Sequence, residues 1–223
     1  MFTGLVEAVG RVARVSATGS IVSLQIEAPF SRELKNGQSV CVSGVCLTVI
    51  SFNDASFKVE MMAETVKRTK FSDVLNKGAG AEVNLERALC AGDRFDGHFV
   101  LGHIDGVGFV RRLNDGGAGL YIMEVEAPPE ISLQIVSKGS VAIDGVSLTV
   151  IDNSKDCFSV GLIPTTQLNC TLGKIKTGDK LNIETDIIGK YILAKLSNLR
   201  NTVHANINNK NNISLEKLIE MGW

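Results

Sequence analysis

A long internal repeat constrains this chain more than any other feature. The stretch SVCVSGVCLTVI at 39–50 returns as SVAIDGVSLTVI at 140–151, which is 101 residues later. TGLVEAVGRV at 3–12 matches LGHIDGVGFV at 101–110, which is 98 residues later. The small difference in offset is what short loop insertions produce. A period of this length is too long for a solenoid unit and predicts two copies of a small domain.

Each copy has the pattern of short β-strands. VSLQIE at 22–27, FKVEM at 57–61 and AEVNLE at 81–86 alternate apolar and polar residues, as an antiparallel strand with one buried face does. The last of these returns as LNIE at 181–184. About six such strands per copy, separated by turn clusters, predict a small barrel that leaves no open strand edge. AETVKRT and PTTQLNCT predict a helical turn each.

The segment that follows the second copy has a helical pattern. In IIGKYILAKLSNL, Ile188, Ile192, Leu196 and Leu199 form one apolar stripe at helical spacing. Such a helix needs an apolar partner, and either the same helix in other subunits or the chain's own barrel would provide one. NTVHANINNKNN is interpreted as a polar linker and ISLEKLIEMGW as a short final helix.

Composition and charge exclude several classes of partner. A net charge of −1 gives no bulk attraction for nucleic acid or an anionic membrane. No apolar run approaches the ~20 residues of a membrane span, and the N-terminus lacks the pattern of a secretion signal. The five cysteines form no C-x-x-C pair, and no histidine lies at zinc-ligand spacing beside a cysteine pair. We therefore expect free thiols in a reducing cytoplasm.

One slot of the repeat holds a reactive side chain in both copies, Cys46 in the first and Ser147 in the second. A cysteine in an apolar strand is usually a small buried hydrophobe. A serine there needs a hydrogen-bond partner, so the pair favours a polar pocket. His103 stands where the first copy has Leu5, which places a group that can transfer protons in one copy only.

Other polar residues have both structural and functional explanations. Glu64 and Thr65 either cap a helical turn or bind a polyol. Lys138 fits an exposed loop. His98 precedes His103 by five residues, which on a strand puts the two on opposite faces and makes a poor metal pair.

Taken together, these motifs resemble the riboflavin synthase family of the α-subunit type. The N-terminal MFTGLVE, the two motifs G-V-C-L-T-V and D-G-V-S-L-T-V, G-H-I at 102–104 and L-I-P at 162–164 match that family over roughly residues 1–200. The resemblance implies conversion of two molecules of 6,7-dimethyl-8-ribityllumazine into riboflavin and 5-amino-6-ribitylaminouracil. It implies no cofactor and no metal.

The resemblance also implies an architecture and an assembly. The fold would be all-β, with two tandem six-stranded antiparallel Greek-key barrels at 1–97 and 98–186, followed by a C-terminal α-helix and tail at 187–223. The helices would hold a homotrimer in which each site lies between the first barrel of one subunit and the second barrel of its neighbour. Association with lumazine synthase is a further expectation.

The resemblance implies a site in two pockets, with catalytic roles for Cys46, His103, Ser147 and Thr149. Phe2 is expected to cover the site as an apolar wall. His103 is expected to move protons with the help of Thr149. The first pocket is expected to contain Gly4, Leu5, Val6, Cys46, Leu47, Thr48, Glu60, Met61, Met62, Ala63, Glu64 and Thr65. The second is expected to contain Gly102, His103, Ile104, Lys138, Ser147, Leu148, Thr149, Gly161, Leu162, Ile163, Pro164, Thr165 and Thr166.

Thr165 departs from the family pattern, which often has glutamate at this position. A ribityl contact there is expected to be shorter or mediated by water.

Two alternatives to this enzyme stay open. Lumazine- and flavin-binding antenna proteins share the duplicated barrels, but they typically lack the reactive residues that stand here. A flavin-reductase-type barrel would require an Arg-x-Tyr-Ser/Thr motif and a nucleotide-binding domain with G-x-G-x-x-G, and the sequence has neither.

Overall fold

In the computed structural model, which describes residues 1–196, the strands of each repeat close into a six-stranded antiparallel barrel. Strands β1–β6 of the first barrel are Ala8–Thr18, Ile21–Glu27, Ser39–Val42, Val45–Phe52, Ser56–Met62 and Glu82–Arg87. Strands β7–β12 of the second barrel are Gly106–Gly117, Leu120–Glu126, Ser140–Ile143, Val146–Asn153, Cys157–Leu162 and Lys180–Thr185. Their cyclic orders are β1-β2-β5-β4-β3-β6 and β7-β8-β11-β10-β9-β12. The prediction of two six-stranded antiparallel barrels is confirmed.

The helices are short and lie at corresponding places in the two copies. The two predicted helical turns are confirmed as α1 and α4, and both follow the fifth strand of their barrel. Helices α1–α4 are Ala63–Arg68, Phe71–Lys77, Pro129–Ser132 and Pro164–Asn169, with 3-10 turns at Ser31–Glu33 and Thr171–Lys174.

The chain divides into two units, Met1–Asp186 and Ile187–Trp223. In the second unit, 187–196 are helical, as the apolar stripe predicts. Leu199, the linker and the predicted final helix lie outside the described residues. Within residues 1–196, no helix has the length and apolar character needed to cross a bilayer.

Both barrels bend at the same positions of the repeat. The register of β1 against β2 shifts between Val12 and Arg14, and that of β7 against β8 shifts between Val110 and Arg112. A second pair of irregularities interrupts β4 and β10 at corresponding residues. Such bulges increase local twist and help a small sheet to close on itself.

Each barrel is filled by the apolar face that the alternation predicts. In the first barrel Leu24, Ile26 and Val59 are fully buried, as is Phe57. Phe158 takes the place of Phe57 in the second core. In β6 the polar residues of the alternating pattern do not all face solvent. Asn84 and Glu86, two positions apart, are also buried. On this face of β6, Asn84 bonds to the second barrel and Glu86 bonds to the N-terminal residues Thr3 and Gly4, which an alternation pattern alone does not reveal.

The two barrels contact each other through an approximate twofold relation. Phe2 N–H donates to the carbonyl of Val100 at 2.7 Å, and Val100 N–H donates back to Phe2 at 3.1 Å. These residues are separated by the repeat offset of 98, so each bonds to its own counterpart. Gly44 and Gly145 also meet their counterparts, since a Cβ on Gly44 would lie 3.0 Å from the Gly145 nitrogen.

Two buried asparagines show the same twofold relation in their side-chain hydrogen bonds. The Nδ2 of Asn84 donates to the carbonyl of Asp144 at 2.9 Å, and the Nδ2 of Asn182 donates to the carbonyl of Ser43 at 2.8 Å. Their Oδ1 atoms accept backbone N–H groups of Thr171 and Lys70, each at 2.7 Å. These bonds satisfy polar groups that burial would otherwise leave unpaired, and they fix one barrel against the other.

The symmetry breaks at one buried ion pair. Asp144, which has no exposed surface, takes the place of Ser43 and bonds to the ammonium of Lys70. Its Oδ1 also accepts the N–H of Asn182 at 2.9 Å. Burial raises the pKa of Asp144, and the charge of Lys70 opposes that rise. A carboxylate here therefore depends on its lysine.

Candidate functional site

Two short segments cross from one barrel to the other. The N-terminal crossing segment (residues 3–6) reaches the second barrel, where the carbonyl of Gly4 accepts the N–H of Ser147 at 2.8 Å. The central crossing segment (residues 101–104) reaches the first barrel, where the carbonyl of Gly102 accepts the N–H of Cys46 at 2.9 Å. We call the surroundings of Cys46 the first half-site and those of Ser147 the second half-site. Each half-site therefore contains residues of both copies.

This exchange corrects the predicted composition of the two pockets. The sequence grouping of Gly4–Val6 with Cys46, and of Gly102–Ile104 with Ser147, is wrong within one chain. Val6 packs against the second core and Ile104 against the first. A repeat aligned with itself shows which segments correspond, but it does not show which barrel each segment contacts. As a consequence, His103 belongs to the first half-site and is not brought to Thr149.

Both crossings require glycine. Gly4 and Gly102 have φ values of +81° and +78°, a conformation that side chains disfavour. A Cβ on Gly4 would lie 2.6 Å from the Cβ of Ser147, and one on Gly102 would lie 2.5 Å from the Cβ of Cys46. The two backbones approach more closely than any side chain would allow.

A buried glutamate holds each crossing segment. The carboxylate of Glu86 accepts Thr3 N–H at 2.6 Å, the Thr3 hydroxyl at 2.7 Å and Gly4 N–H at 3.0 Å. The carboxylate of Glu184 accepts the N–H groups of the next segment at 2.7, 2.9 and 3.2 Å, which belong to Leu101, Gly102 and His103. Burial raises the pKa of Glu86, although the Thr3 and Gly4 bonds oppose the rise. Neither glutamate is among the predicted site residues, although VNLE and LNIE keep a carboxylate at the same place in both copies.

The second half-site opens into a cleft between β10, α4 and the N-terminal crossing segment. The cleft places several predicted contact residues together. Lys138 lies outside this lining, in an exposed loop with its N–H donating to Val150 at 2.8 Å. Thr149 and Gly161 lie outside it as well. The cleft is lined by Gly4, Leu5, Val6, Val146, Ser147, Ile163, Thr165, Thr166, Asn169 and Cys170.

His98 contacts the second half-site, although from the sequence it was weighed only as a poor metal pair with His103. Its Nδ1 lies 2.7 Å from the hydroxyl of Ser147, and its side chain is buried. Its Nε2 has no hydrogen-bond partner within residues 1–196. Burial lowers the pKa of His98, while the charge of Asp186 opposes this change. The first copy has no counterpart of His98, so the repeat gave no signal for it.

The lowered pKa of His98 predicts a pH-dependent stability. As pH falls below the ordinary value of 6.5, the unfolded chain takes up a proton more readily than the folded protein. The free energy of unfolding should fall between pH 6.5 and the folded pKa, by up to about 1.4 kcal/mol per pH unit. His98→Asn keeps a hydrogen-bonding group beside Ser147 without titrating. Urea unfolding from pH 7.5 to 5.5 should show that the advantage of wild type over this variant shrinks, and a constant difference would contradict the prediction.

The first half-site combines a thiol with acidic and hydroxyl groups. Cys46 is half-buried, and Thr48 lies exposed on the same face of β4. Glu60 accepts the hydroxyl of Ser23 at 3.0 Å. Glu64 is held by Arg68 at 2.7 Å, which lowers the pKa of Glu64. Any ligand hydroxyl that binds Glu64 would share that carboxylate with the guanidinium.

Strand alternation turns some predicted contact residues away from both half-sites. Their side chains lie in the barrel cores, so only their backbone groups face outward. Phe2 is also fully buried, with Cys41, Val100 and Ala142 between the barrels, and does not present an exposed wall. The residues that face the cores are Leu47, Met61, Leu148 and Leu162.

The half-sites have the same backbone frame and different chemistry. The first carries the Cys46 thiol and, directly after Gly102, the exposed imidazole of His103. The second carries the Ser147 hydroxyl, which is hydrogen-bonded to the buried imidazole of His98. Leu5 stands there at the position that corresponds to His103. Two similar molecules bound to this frame would meet different acid, base and nucleophilic groups.

Sequence comparison assigns a domain to each copy. The model of the lumazine binding domain matches residues 3–88 and 101–186. Riboflavin synthase of Actinobacillus pleuropneumoniae is 39% identical over 193 residues, which is 86% of this chain and 88% of that protein. Riboflavin synthase of Bacillus subtilis (strain 168) is 38% identical with the same coverage. That of Mycobacterium tuberculosis (strain ATCC 25618 / H37Rv) is 38% identical over 86% of this chain and 96% of its own length.

Solved structures share the architecture. LumP complexed with 6,7-dimethyl-8-(1'-D-ribityl) lumazine has a TM-score of 0.73 at 22% identity, covering 83% of this chain and 99% of LumP. LumP complexed with riboflavin has a TM-score of 0.75 at the same identity and coverage. At this level of identity the likeness shows the fold alone.

Proposed function

Because the chain belongs to the riboflavin synthase family, we propose that it transfers a four-carbon unit between two molecules of 6,7-dimethyl-8-ribityllumazine. The products are riboflavin and 5-amino-6-ribitylaminouracil. The observation that carries this proposal is the pair of corresponding but unequal half-sites. Two identical molecules with opposite fates need matched frames that differ in their reactive groups. Holding both in register can supply several kcal/mol, up to about 7–11 in favourable cases.

The reactive groups of the two half-sites support different chemical roles for the two bound lumazine molecules. A base removes a proton from the C7 methyl group of one lumazine, and the ring delocalises the resulting carbanion. A nucleophile, which is water or the side chain of Cys46 or Ser147, adds at C7 of the other molecule. The carbanion then attacks, and ring closure and elimination follow. His103 is the proton carrier in this scheme because its imidazole is exposed in the first half-site.

We also propose that the two half-sites used in one reaction lie on different chains. Within one chain, His103 belongs to the first half-site and Thr149 follows Ser147 in the second, so we propose that the two act together across a subunit boundary. The helix at 187–196 supports an assembly, because Ile188, Ile192 and Leu196 have more than half of their surface exposed. We propose a homotrimer in which the first barrel of one subunit faces the second barrel of its neighbour.

The test uses the purified chain with 6,7-dimethyl-8-ribityllumazine as sole substrate. Riboflavin absorbance should rise while the pyrimidine product accumulates in equal amount. Size exclusion with light scattering on the same preparation should assign the activity to a trimer, and activity confined to a monomer would contradict the assembly. A fluorophore that copurifies or binds without turnover would identify an antenna protein instead.

Two finer predictions concern the surroundings of the enzyme. The five cysteines are free, which supports a reducing compartment, and we place the protein in the cytoplasm. Cell fractionation tests this location. Association with lumazine synthase stays a prediction, and co-elution of the two purified proteins would test it.

A further inference from the structure

We infer that Glu184 is a positioning residue for the proposed reaction, because its carboxylate sets the place of His103 in the first half-site. The inference rests on the proposed function. Glu184 is 1% exposed, and two of its bonds go to Gly102 and His103 themselves. No other side-chain group described for residues 1–196 accepts the backbone N–H of His103. The carboxylate therefore contacts the residue that carries the imidazole, although it does not face the substrate.

The location of Glu184 in the second barrel explains why its contact with the central crossing segment matters. It lies in β12, where it pairs with Ala142 of β9, so its backbone is fixed to the second barrel. The segment that it holds ends in the first barrel, with Gly102 bonded to Cys46. Gly102 has no side chain that could fix the crossing by packing. The bond between Gly102 and Cys46 and the packing of Ile104 hold the segment to the first barrel. The carboxylate of Glu184 adds the contact with the backbone of His103 itself, so the placement of the imidazole relative to the thiol depends on it as well.

The chemistry of the contact requires a carboxylate. Three N–H groups converge on two oxygens, and an ionised carboxylate only accepts hydrogen bonds. Bonds to a charged acceptor are also shorter and stronger than neutral ones. Glutamine at this place would turn an NH2 group towards a backbone N–H, so part of the segment would have to move away.

Glu86 offers a matched control in the same chain. It corresponds to Glu184 in the repeat, is similarly buried, and holds the other crossing segment. Its segment carries Leu5 instead of His103. Leu5 N–H donates to the Thr3 hydroxyl at 3.3 Å and not to the carboxylate. Glu86→Gln therefore makes the same chemical change at the same depth without touching the segment that carries the imidazole.

The experiment compares Glu184→Gln with Glu86→Gln. A small displacement of a reacting group can cost up to about 10²-fold in rate, so we expect kcat of Glu184→Gln to fall about tenfold or more with KM nearly unchanged. The imidazole of His103, assigned by its loss in His103→Leu, should change its chemical shift in the proton NMR spectrum. In Glu86→Gln the His103 signal should stay at its wild-type position.

The NMR measurement needs no turnover, so it tests the positioning even if the chain does not form riboflavin. Glu184→Asp keeps the charge and shortens the side chain, and its kcat should lie between those of Glu184→Gln and wild type. It also provides the measurement if the glutamine variant does not fold. An unchanged His103 signal in folded Glu184→Gln or Glu184→Asp would overturn the inference. Equal shifts of that signal in Glu184→Gln and Glu86→Gln would overturn it as well.

Discussion

Replacing His103 by alanine is expected to lower kcat by about 10²–10⁴-fold, because a positioned general acid or base typically contributes that factor. Affinity for 6,7-dimethyl-8-ribityllumazine should change far less, since the backbone of the central crossing segment still holds its bonds to Glu184 and Cys46. Steady-state kinetics give kcat, and quenching of ligand fluorescence gives the dissociation constant.

The repeat provides a control for this variant. His103→Leu copies Leu5 of the first repeat, so it fills the space with a residue that the same backbone frame accepts. A proton-transfer role predicts that the leucine and alanine variants lose turnover alike. If leucine retains turnover, or if binding falls as much as kcat, His103 contributes packing or ligand contact only.

Replacing Lys70 by methionine is expected to reduce the free energy of unfolding by about 3–5 kcal/mol, because it leaves a buried charge without its partner. Asp144 has no exposed surface, and the Lys70 side chain is 15% exposed. Urea unfolding measures the loss. Lys174→Met is the matched control, since it removes an ion pair whose lysine is 72% exposed. That variant should lose no more than about 1 kcal/mol.

The first barrel also suggests how to rescue the Lys70 variant. At the corresponding turn Ser43 has a φ of +44°, close to the +49° of Asp144, and its hydroxyl accepts the N–H of Asn84 at 3.1 Å. Asp144→Ser should therefore fit the turn, and the double variant should recover most of the stability. If the double variant is no more stable than Lys70→Met, the loss does not come from an uncompensated carboxylate.

The repeat and the strand alternation were sufficient to predict the barrels. Residues such as Leu24, Val59 and Phe57 recur at period two, and their burial depends only on which face of a strand they occupy. The helical turn after β5 was also predictable, because its pattern is local. These features depend on contacts within one copy, which is why the sequence of that copy contains them.

What the sequence did not predict depends on contacts between the copies. The N–H of Ser147 donates to the carbonyl of Gly4, and this bond joins opposite barrels. The sequence match between the N-terminal and central crossing segments would be the same whichever barrel each segment reached. Glu86 lies on the polar face of an alternating strand, and its carboxylate is covered by Thr3 and Gly4 of the N-terminal crossing segment, which an alternation pattern does not reveal. His98 lies between two matched segments and has no counterpart, so comparison of the two copies could not identify it as a site residue.

The bridge between Phe2 and Val100 has a consequence for how such a chain can change. A single repeat with its own crossing segment would meet an identical copy through the same reciprocal bonds, as an isologous homodimer. In that homodimer every substitution alters both halves together. Covalent fusion removes this restriction, so that thiol and hydroxyl, or imidazole and leucine, can occupy corresponding places. Symmetry then supplies the scaffold, and fusion allows the halves to specialise for giving and for receiving.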